Sequence, residues 1–250
     1  MLLMVYLVYG FVVGLLFGSF ANVVIYRLPR GLSIVAPPSA CVACGKRLRV
    51  VDLIPVMSWM VLRGRCRYCG GRIAVRYPLV ELVCGVLFAC MVFYTPTFSA
   101  LPLSFFAFLL VCVSIIDVDG QKIPRGLVVA GVIVAAAWII LSESFAMRLP
   151  FSAWQHYALW FPHAPLWYEA LFGAAMGAMF VLFKKTPFYV VMGLFLGWKF
   201  MIIALILAYT FSGMMGIKER KLRHVFPCIC GGCLLAIWFG NFLLHIYGIG

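Results

Sequence analysis

Long apolar runs alternate with short polar segments along the whole chain. The stretch from 78 to 116 holds 39 residues with Glu81 as its single charged side chain, and about 20 apolar helical residues cross a bilayer. The first run extends from Leu2 to Tyr26 without a basic residue, which is longer than the apolar core of a signal peptide. The pattern predicts an all-α polytopic membrane protein that retains its first span.

The same pattern predicts about eight spans. Their approximate bounds are 2–26, 77–93, 103–116, 127–141, 170–183, two short spans within 187–217, and 226–247. The two short spans are expected to turn between Gly197 and Lys199, whereas one long tilted helix there would make seven spans. The polar segment 142–167 is predicted to be an external loop at the membrane interface. No internal repeat is visible.

Composition and charge then give an orientation. The chain is 66% hydrophobic and only 11% charged, which excludes a soluble globular protein. Its net charge is +13, and ten of its 20 Lys and Arg residues lie between 27 and 76, where Asp52 is the sole acid. Such a loop stays cytosolic, so the charge indicates topology and no nucleic-acid partner is expected. We divide the chain into span 1–26, loop 27–76 and membrane core 77–250.

The basic loop contains two C-x-x-C pairs, Cys41 with Cys44 and Cys66 with Cys69, each followed by glycine. This spacing is typical of tetrahedral zinc coordination by four thiolates. A cytosolic loop disfavours disulfides, and a loop this small has little core of its own, so the zinc would be structural. The alternative is four unrelated cysteines. The other six cysteines are expected to be packing residues: Cys84, Cys90, Cys112, Cys228, Cys230 and Cys233.

Asp117 ends an apolar run and is expected at the cytosolic edge of a span. An acid at a membrane edge either terminates a helix or serves a function, and chemistry alone leaves both open. Asp119 follows two residues later, so on a helix its side chain would point about 200° away from that of Asp117. A non-helical turn at Gly120 would bring the two closer.

Four elements together resemble the type IV prepilin peptidase family over residues 14–125. They are G-S-F-A-N-V-V-I-Y-R-L-P-R at 18–30, the cysteine pairs enclosing D-L-I-P-V-M-S-W at 52–59, R-Y-P-L-V-E at 76–81, and I-D-V-D at 116–119 before Pro124. The resemblance implies a bacterial inner-membrane aspartic endopeptidase that cuts the basic leader from prepilins or pseudopilins of type IV pilus or type II secretion systems. It also implies N-methylation of the new terminus with S-adenosylmethionine, a multifunctional enzyme whose zinc loop and catalytic face are cytosolic.

For the catalytic site, the resemblance implies that Asp117 is one of two aspartates, with Asp119 as a weaker candidate. The second aspartate of the family lies in a G-x-G-D motif that should fall near Lys185. Here the residues are Lys184-Lys185-Thr186-Pro187, and no acid occurs between Glu169 and Glu219. Either a segment between Lys184 and Pro187 is missing from this chain, or this member is inactive as a protease.

No Rossmann glycine fingerprint is present for S-adenosylmethionine. The resemblance points to residues 14–30 and the zinc loop, although Gly14 and Gly18 form a G-x-x-x-G pair that equally predicts close helix packing. Expected partners are the lipid bilayer, prepilin or pseudopilin substrates, and pilus or secretion assembly proteins. The main alternative is a non-enzymatic membrane adaptor that keeps the zinc loop, and a channel or carrier is a weaker third.

Overall fold

Helices form the regular structure of the described residues, as the apolar runs predicted. The computed structural model describes residues 2–94, 100–144, 166–184, 186–214 and 228–235. Its helices are α1 (Leu2–Arg27), α2 (Met57–Val61), α3 (Arg76–Tyr94), α4 (Ala100–Val118), α5 (Arg125–Ser144), α6 (Leu166–Lys184) and α7 (Phe188–Met214), with residues 228–235 also helical. Short 3-10 turns occupy Leu28–Arg30 and Val50–Leu53. The all-α fold class is confirmed.

Three helices in the described parts of the chain are long and apolar enough to cross a membrane: Leu3–Arg30, Arg76–Phe93 and Ala100–Val118. A fourth span is obtained if the two arms of α7 count as one, and Arg125–Leu141 and Ala170–Val181 are shorter apolar helices. The membrane character is therefore confirmed, while the number of eight spans is not. Of the predicted external loop 142–167, residues 142–144 end α5 and 166–167 begin α6, whereas the rest of it and most of the predicted last span lie outside the described residues.

Helix α7 is broken at the position where the sequence predicted a turn. Gly197 has φ 68° and ψ 172°, which interrupts the helical backbone. The arms Phe188–Trp198 and Phe200–Thr210 meet at an angle of 117°. The stretch is therefore two short helices joined by a sharp bend.

The first of two compact units comprises Met1–Pro96. Helices α1 and α3 pack against each other there, and the contact passes through Gly14 and Gly18. A Cβ on Gly18 would lie 2.5 Å from the Cα of Glu81, and one on Gly14 would lie 2.5 Å from the carbonyl oxygen of Cys84. The G-x-x-x-G pair thus has a packing role, because only glycine permits this approach.

The second unit comprises Thr97–Gly250, and α4 is buried along most of its length within it. Phe106, Leu109 and Ile116 of α4 have no exposed surface, and the Phe106 ring stacks on Phe195 of α7 at 4.5 Å between centroids. Because α4 is buried along most of its length, its position within this unit is fixed by packing, and so is the position of its last turn. That turn contains Asp117.

Candidate metal centre and candidate active site

The two C-x-x-C segments adopt the same backbone structure. In each, a glycine N–H donates to the carbonyl of the first cysteine, Gly45 to Cys41 at 2.8 Å and Gly70 to Cys66 at 2.9 Å. Both glycines have φ near 68°, a left-handed conformation that side chains disfavour. The glycine after each cysteine pair is therefore required by the turn.

Each turn is closed by a matching pair of backbone contacts. The N–H of Cys41 donates to the carbonyl oxygen of Lys46, and that of Cys66 donates to the carbonyl oxygen of Gly71. We call these two segments, 41–46 and 66–71, the first and second knuckle, and loop 27–76, which contains them, the knuckle loop. Each knuckle is flanked by one β-bridge. The bridges join Ala40 to Arg47 and Arg65 to Arg72. The expectation of no internal repeat is therefore wrong for this loop: the knuckles are two copies of one unit, 25 positions apart in the printed sequence. The shared pattern C-x-x-C-G was the available signal.

The four sulfurs predicted as metal ligands lie together. They are within 4.8 Å of one another, and the sulfurs of Cys41 and Cys69 are 3.9 Å apart. Tetrahedral zinc with Zn–S bonds of about 2.3 Å requires sulfurs separated by roughly 3.8 Å. Among the described residues, no other group of His, Cys, Asp and Glu has the geometry to hold a metal ion. The cluster is therefore compatible with one tetrahedral ion.

The backbone prepares one of these thiols to ionise. The N–H groups of Cys44 and Ala43 point at the sulfur of Cys41 and lower the pKa of its thiol to about 6. The N–H of Gly71 favours the Cys69 thiolate, but hydrogen bonding with the neighbouring sulfurs and burial raise the pKa of Cys69 to about 11. A divalent cation would favour the thiolate form of all four sulfurs.

Asp52 braces the second knuckle, a role that the sequence did not indicate. Arg67, between the two cysteines of that knuckle, donates from Nε to Oδ1 of Asp52 at 2.7 Å. The N–H of Arg49 donates to the other carboxylate oxygen at 3.3 Å. Burial acts to raise the pKa of Asp52, but these hydrogen bonds outweigh it and hold the pKa below its usual 3.8. Asp52 thus links the segment between the knuckles to one of them.

Glu81 is a second acid whose contacts the sequence did not predict. It lies in α3, is only 9% exposed, and accepts a 2.7 Å hydrogen bond from the N–H of Val56 and another from Ser19 of α1. Val56 has a positive φ of 60°, uncommon for a β-branched residue. The buried carboxylate therefore holds a strained turn of the loop against the helix pair.

Asp117 lies in the last turn of α4 and is half-buried, whereas Asp119 is exposed. The helix ends in a Schellman motif: Gln121 N–H donates to Ile116 and Gly120 N–H donates to Asp117. Because the Asp119 N–H still donates to Ile115, the backbone remains helical through this pair. The turn at Gly120 therefore leaves the two carboxylates on different sides of the helix.

Two buried side chains of other segments lie close enough to Asp117 to interact with it electrostatically. One is Tyr189, in the first turn of α7, and the other is Cys230, in the helical segment 228–235. Cys230 also forms a hydrogen bond with Ser114, one turn before Asp117. Cys230 was expected only to fill space, and its electrostatic interaction with an acid could not be found from the sequence. The position near Lys185, where a second aspartate was predicted, lies outside the described residues.

Residues 12–95, nearly all of the first unit, match the bacterial peptidase A24 N-terminal domain. A relative from Myxococcus xanthus is 38% identical over 193 residues, covering 77% of this chain and 49% of its own length. This chain thus spans about half the length of that relative.

Two further relatives extend the similarity towards the end of the chain. One from Pseudomonas putida is 29% identical over 85% of this chain and 81% of itself, and one from Bacillus subtilis is 27% identical over 95% and 96%. All three are named prepilin leader peptidase/N-methyltransferase. No solved structure matches. The resemblance read from the motifs is confirmed: this chain is similar to proteins named prepilin leader peptidase/N-methyltransferase, and its first unit to the peptidase A24 N-terminal domain.

Proposed function

We propose that this chain cleaves the basic leader from type IV prepilins or pseudopilins and N-methylates the new amino terminus. The proposal is supported by the names of its relatives and by the match of residues 12–95 to a peptidase A24 domain. The proposal further includes an aspartic mechanism and a cytosolic orientation of the knuckle loop. The orientation is argued from the excess of basic residues in that loop.

The position of Tyr189 carries the catalytic part of the proposal. Tyr189 lies near enough to Asp117 for an electrostatic interaction and comes two residues after Pro187, where the sequence departs from the family motif. A segment inserted before Pro187 would therefore end in the part of the fold that contains Asp117. The Pseudomonas alignment runs over 252 positions while covering 85% of this 250-residue chain, so that relative has residues without a counterpart here. Such an unmatched segment is what a missing G-x-G-D loop would require.

Two carboxyl groups in one site can divide the work of peptide hydrolysis. One, as carboxylate, accepts a proton from the attacking water, and the other, as carboxylic acid, donates a proton to the reacting group. Their mutual repulsion raises the pKa of one of them, which keeps it protonated near neutral pH. Asp117 is proposed as one member, because it is half-buried at the end of a membrane helix. Asp119 is exposed and is the weaker candidate.

Cys41, Cys44, Cys66 and Cys69 are the residues that would hold zinc, which supplies crosslinking of the loop when bound. Methyl transfer requires S-adenosylmethionine, which supplies the methyl group. Within the proposed region, Gly14 and Gly18 are occupied by helix packing. The remaining candidates are the residues after Gly18 and the knuckle loop.

The test is cleavage and methylation of a synthetic prepilin by protein made from the full natural gene. Asp117→Asn should abolish leader removal, because Asn keeps the size of Asp but cannot act as a base. Asp119→Asn is the matched control and should retain most of the activity. Zinc content and thermal unfolding should be the same in both variants. Full cleavage by Asp117→Asn would show that this carboxylate only terminates a helix.

The competing function is a membrane adaptor that keeps the knuckle loop but has no protease activity. Reading the natural gene across Lys184 to Pro187 distinguishes the two. An uninterrupted junction would favour the adaptor, whereas an intervening G-x-G-D segment would support the peptidase. If no radiolabelled methyl group is transferred to the cleaved pilin, the transferase activity is excluded, whereas the peptidase activity is not.

A further inference from the structure

A patch of exposed apolar side chains lies on and just before the short helix α2. Met57, Met60 and Val61 are 59%, 60% and 73% exposed, and Leu53 and Ile54 are 40% and 47% exposed. We call these five residues the α2 patch. Scattered exposed apolar residues are ordinary on a protein surface, but a contiguous group of this kind marks an interaction surface.

The hydrogen bond between Val56 and Glu81 fixes the level of the α2 patch relative to the membrane helices of the same unit. Glu81 is five residues into α3, which places it about 7 Å along the helix axis from Arg76. Leu79 and Leu82, on either side of Glu81, are exposed apolar residues on a candidate membrane span. Val56 therefore lies at a depth where α3 already presents apolar side chains outward, and α2 begins at the next residue.

The sequence on both sides of the α2 patch is basic. Arg49 precedes it and Arg63 and Arg65 follow it, and all three are exposed. The single acid of this loop, Asp52, is engaged by Arg67. Exposed arginines on both sides of an apolar segment complement a membrane surface that carries anionic headgroups, to which apolar area and nearby Lys or Arg both contribute binding.

We propose that the α2 patch is an interfacial anchor that inserts among anionic phospholipids and holds the knuckle loop on the bilayer. Met57, Met60 and Val61 enter the boundary between headgroups and acyl chains, and the surrounding arginines contact lipid phosphates. The loop is thereby held at the level where α3 enters the membrane, and the exposed apolar area of α2 is removed from water. This role is independent of peptidase activity.

The experiment places a photoreactive benzoylphenylalanine at position 60 of the full-length protein in lipid nanodiscs. The matched control carries the same group at Val42, which is 80% exposed on the first knuckle and outside the patch. Discs contain either phosphatidylcholine alone or phosphatidylcholine with phosphatidylglycerol, and intact mass after irradiation identifies lipid adducts. Unchanged zinc content of both proteins shows that the loop is folded.

Lipid adducts at position 60, several-fold more abundant in the discs with phosphatidylglycerol and rare at position 42, would support the anchor. No lipid adduct at position 60 in either disc would overturn it. Equal adducts at both positions would also overturn it, because the loop would then touch lipid without using α2. If position 60 formed adducts with an added prepilin and none with lipid, the anchor would also be overturned, and the patch would be identified as a protein-docking surface.

Discussion

The N–H of Val56 donates a 2.7 Å hydrogen bond to Oε2 of Glu81, which joins a strained turn of the knuckle loop to a membrane helix. The acceptor is nearly buried, so water cannot replace it well. The pairing explains why an acid is retained inside an apolar helix, where an ionisable side chain is otherwise costly.

Removing this acceptor should loosen the loop. Glu81→Ala leaves the Val56 N–H without its partner, at a cost of about 1–3 kcal/mol, and amide exchange at Val56 and Met57 should become roughly ten-fold faster or more. Glu81→Gln keeps an amide oxygen that can accept the bond and should change exchange much less. Equal exchange in wild type and Glu81→Ala would show that the bond does not hold the turn.

The four-cysteine cluster should bind about one zinc per chain. Changing Cys41 and Cys66 together to Ser removes one ligand from each knuckle and should eliminate the metal, measured by elemental analysis of purified protein. Cys90→Ser is the control, because Cys90 lies half-buried in α3 outside the cluster. Unchanged zinc in the double variant would contradict the assignment.

The brace from Asp52 to Arg67 should slow the loss of metal. Asp52→Asn removes the charge that Arg67 contacts, so release of zinc to a chelator at neutral pH should become several-fold faster. Since the pKa of Asp52 is lowered on folding, its stabilisation is complete above the unfolded value of 3.8 and disappears as the pH falls through the lowered one. Over the pH range in which the cysteines hold zinc, which lies above 3.8, the difference from wild type should therefore stay constant.

Asp119→Asn serves as the control for this prediction, because Asp119 is exposed at the end of α4 in the other unit. It should release zinc at the wild-type rate. Equal release rates for Asp52→Asn and wild type at neutral pH would show that the ion pair contributes nothing to the knuckle.

Close packing of α1 on α3 should depend on Gly18. In Gly18→Ala the added methyl group would collide with the Cα of Glu81, and helix separation should cost about 1–3 kcal/mol. Gly126→Ala is the control, because nothing lies within 4 Å of the corresponding position. The melting temperature in detergent should fall by several degrees in Gly18→Ala and should not fall in Gly126→Ala. Equal melting temperatures would contradict the packing role.

The sequence by itself predicted the helical class with its membrane spans, the grouping of the four cysteines and the similarity to prepilin peptidases. These features are local: an apolar run long enough to cross a bilayer is helical because its backbone must satisfy its own hydrogen bonds there. The spacing of C-x-x-C brings two sulfurs to one metal within a single turn. Likewise, the break near Gly197 interrupts one continuous apolar run.

The tertiary structure decided which distant residues lie near one another. Asp52 with Arg67, Val56 with Glu81, and Asp117 with Tyr189 and Cys230 are each separated by 15 to 113 positions in the printed sequence. None of these pairs has a fixed spacing, because each depends on how helices pack and where loops return. Periodicity reports which face of one segment is apolar, whereas the partner of a buried polar group is chosen by the packing of all segments around it.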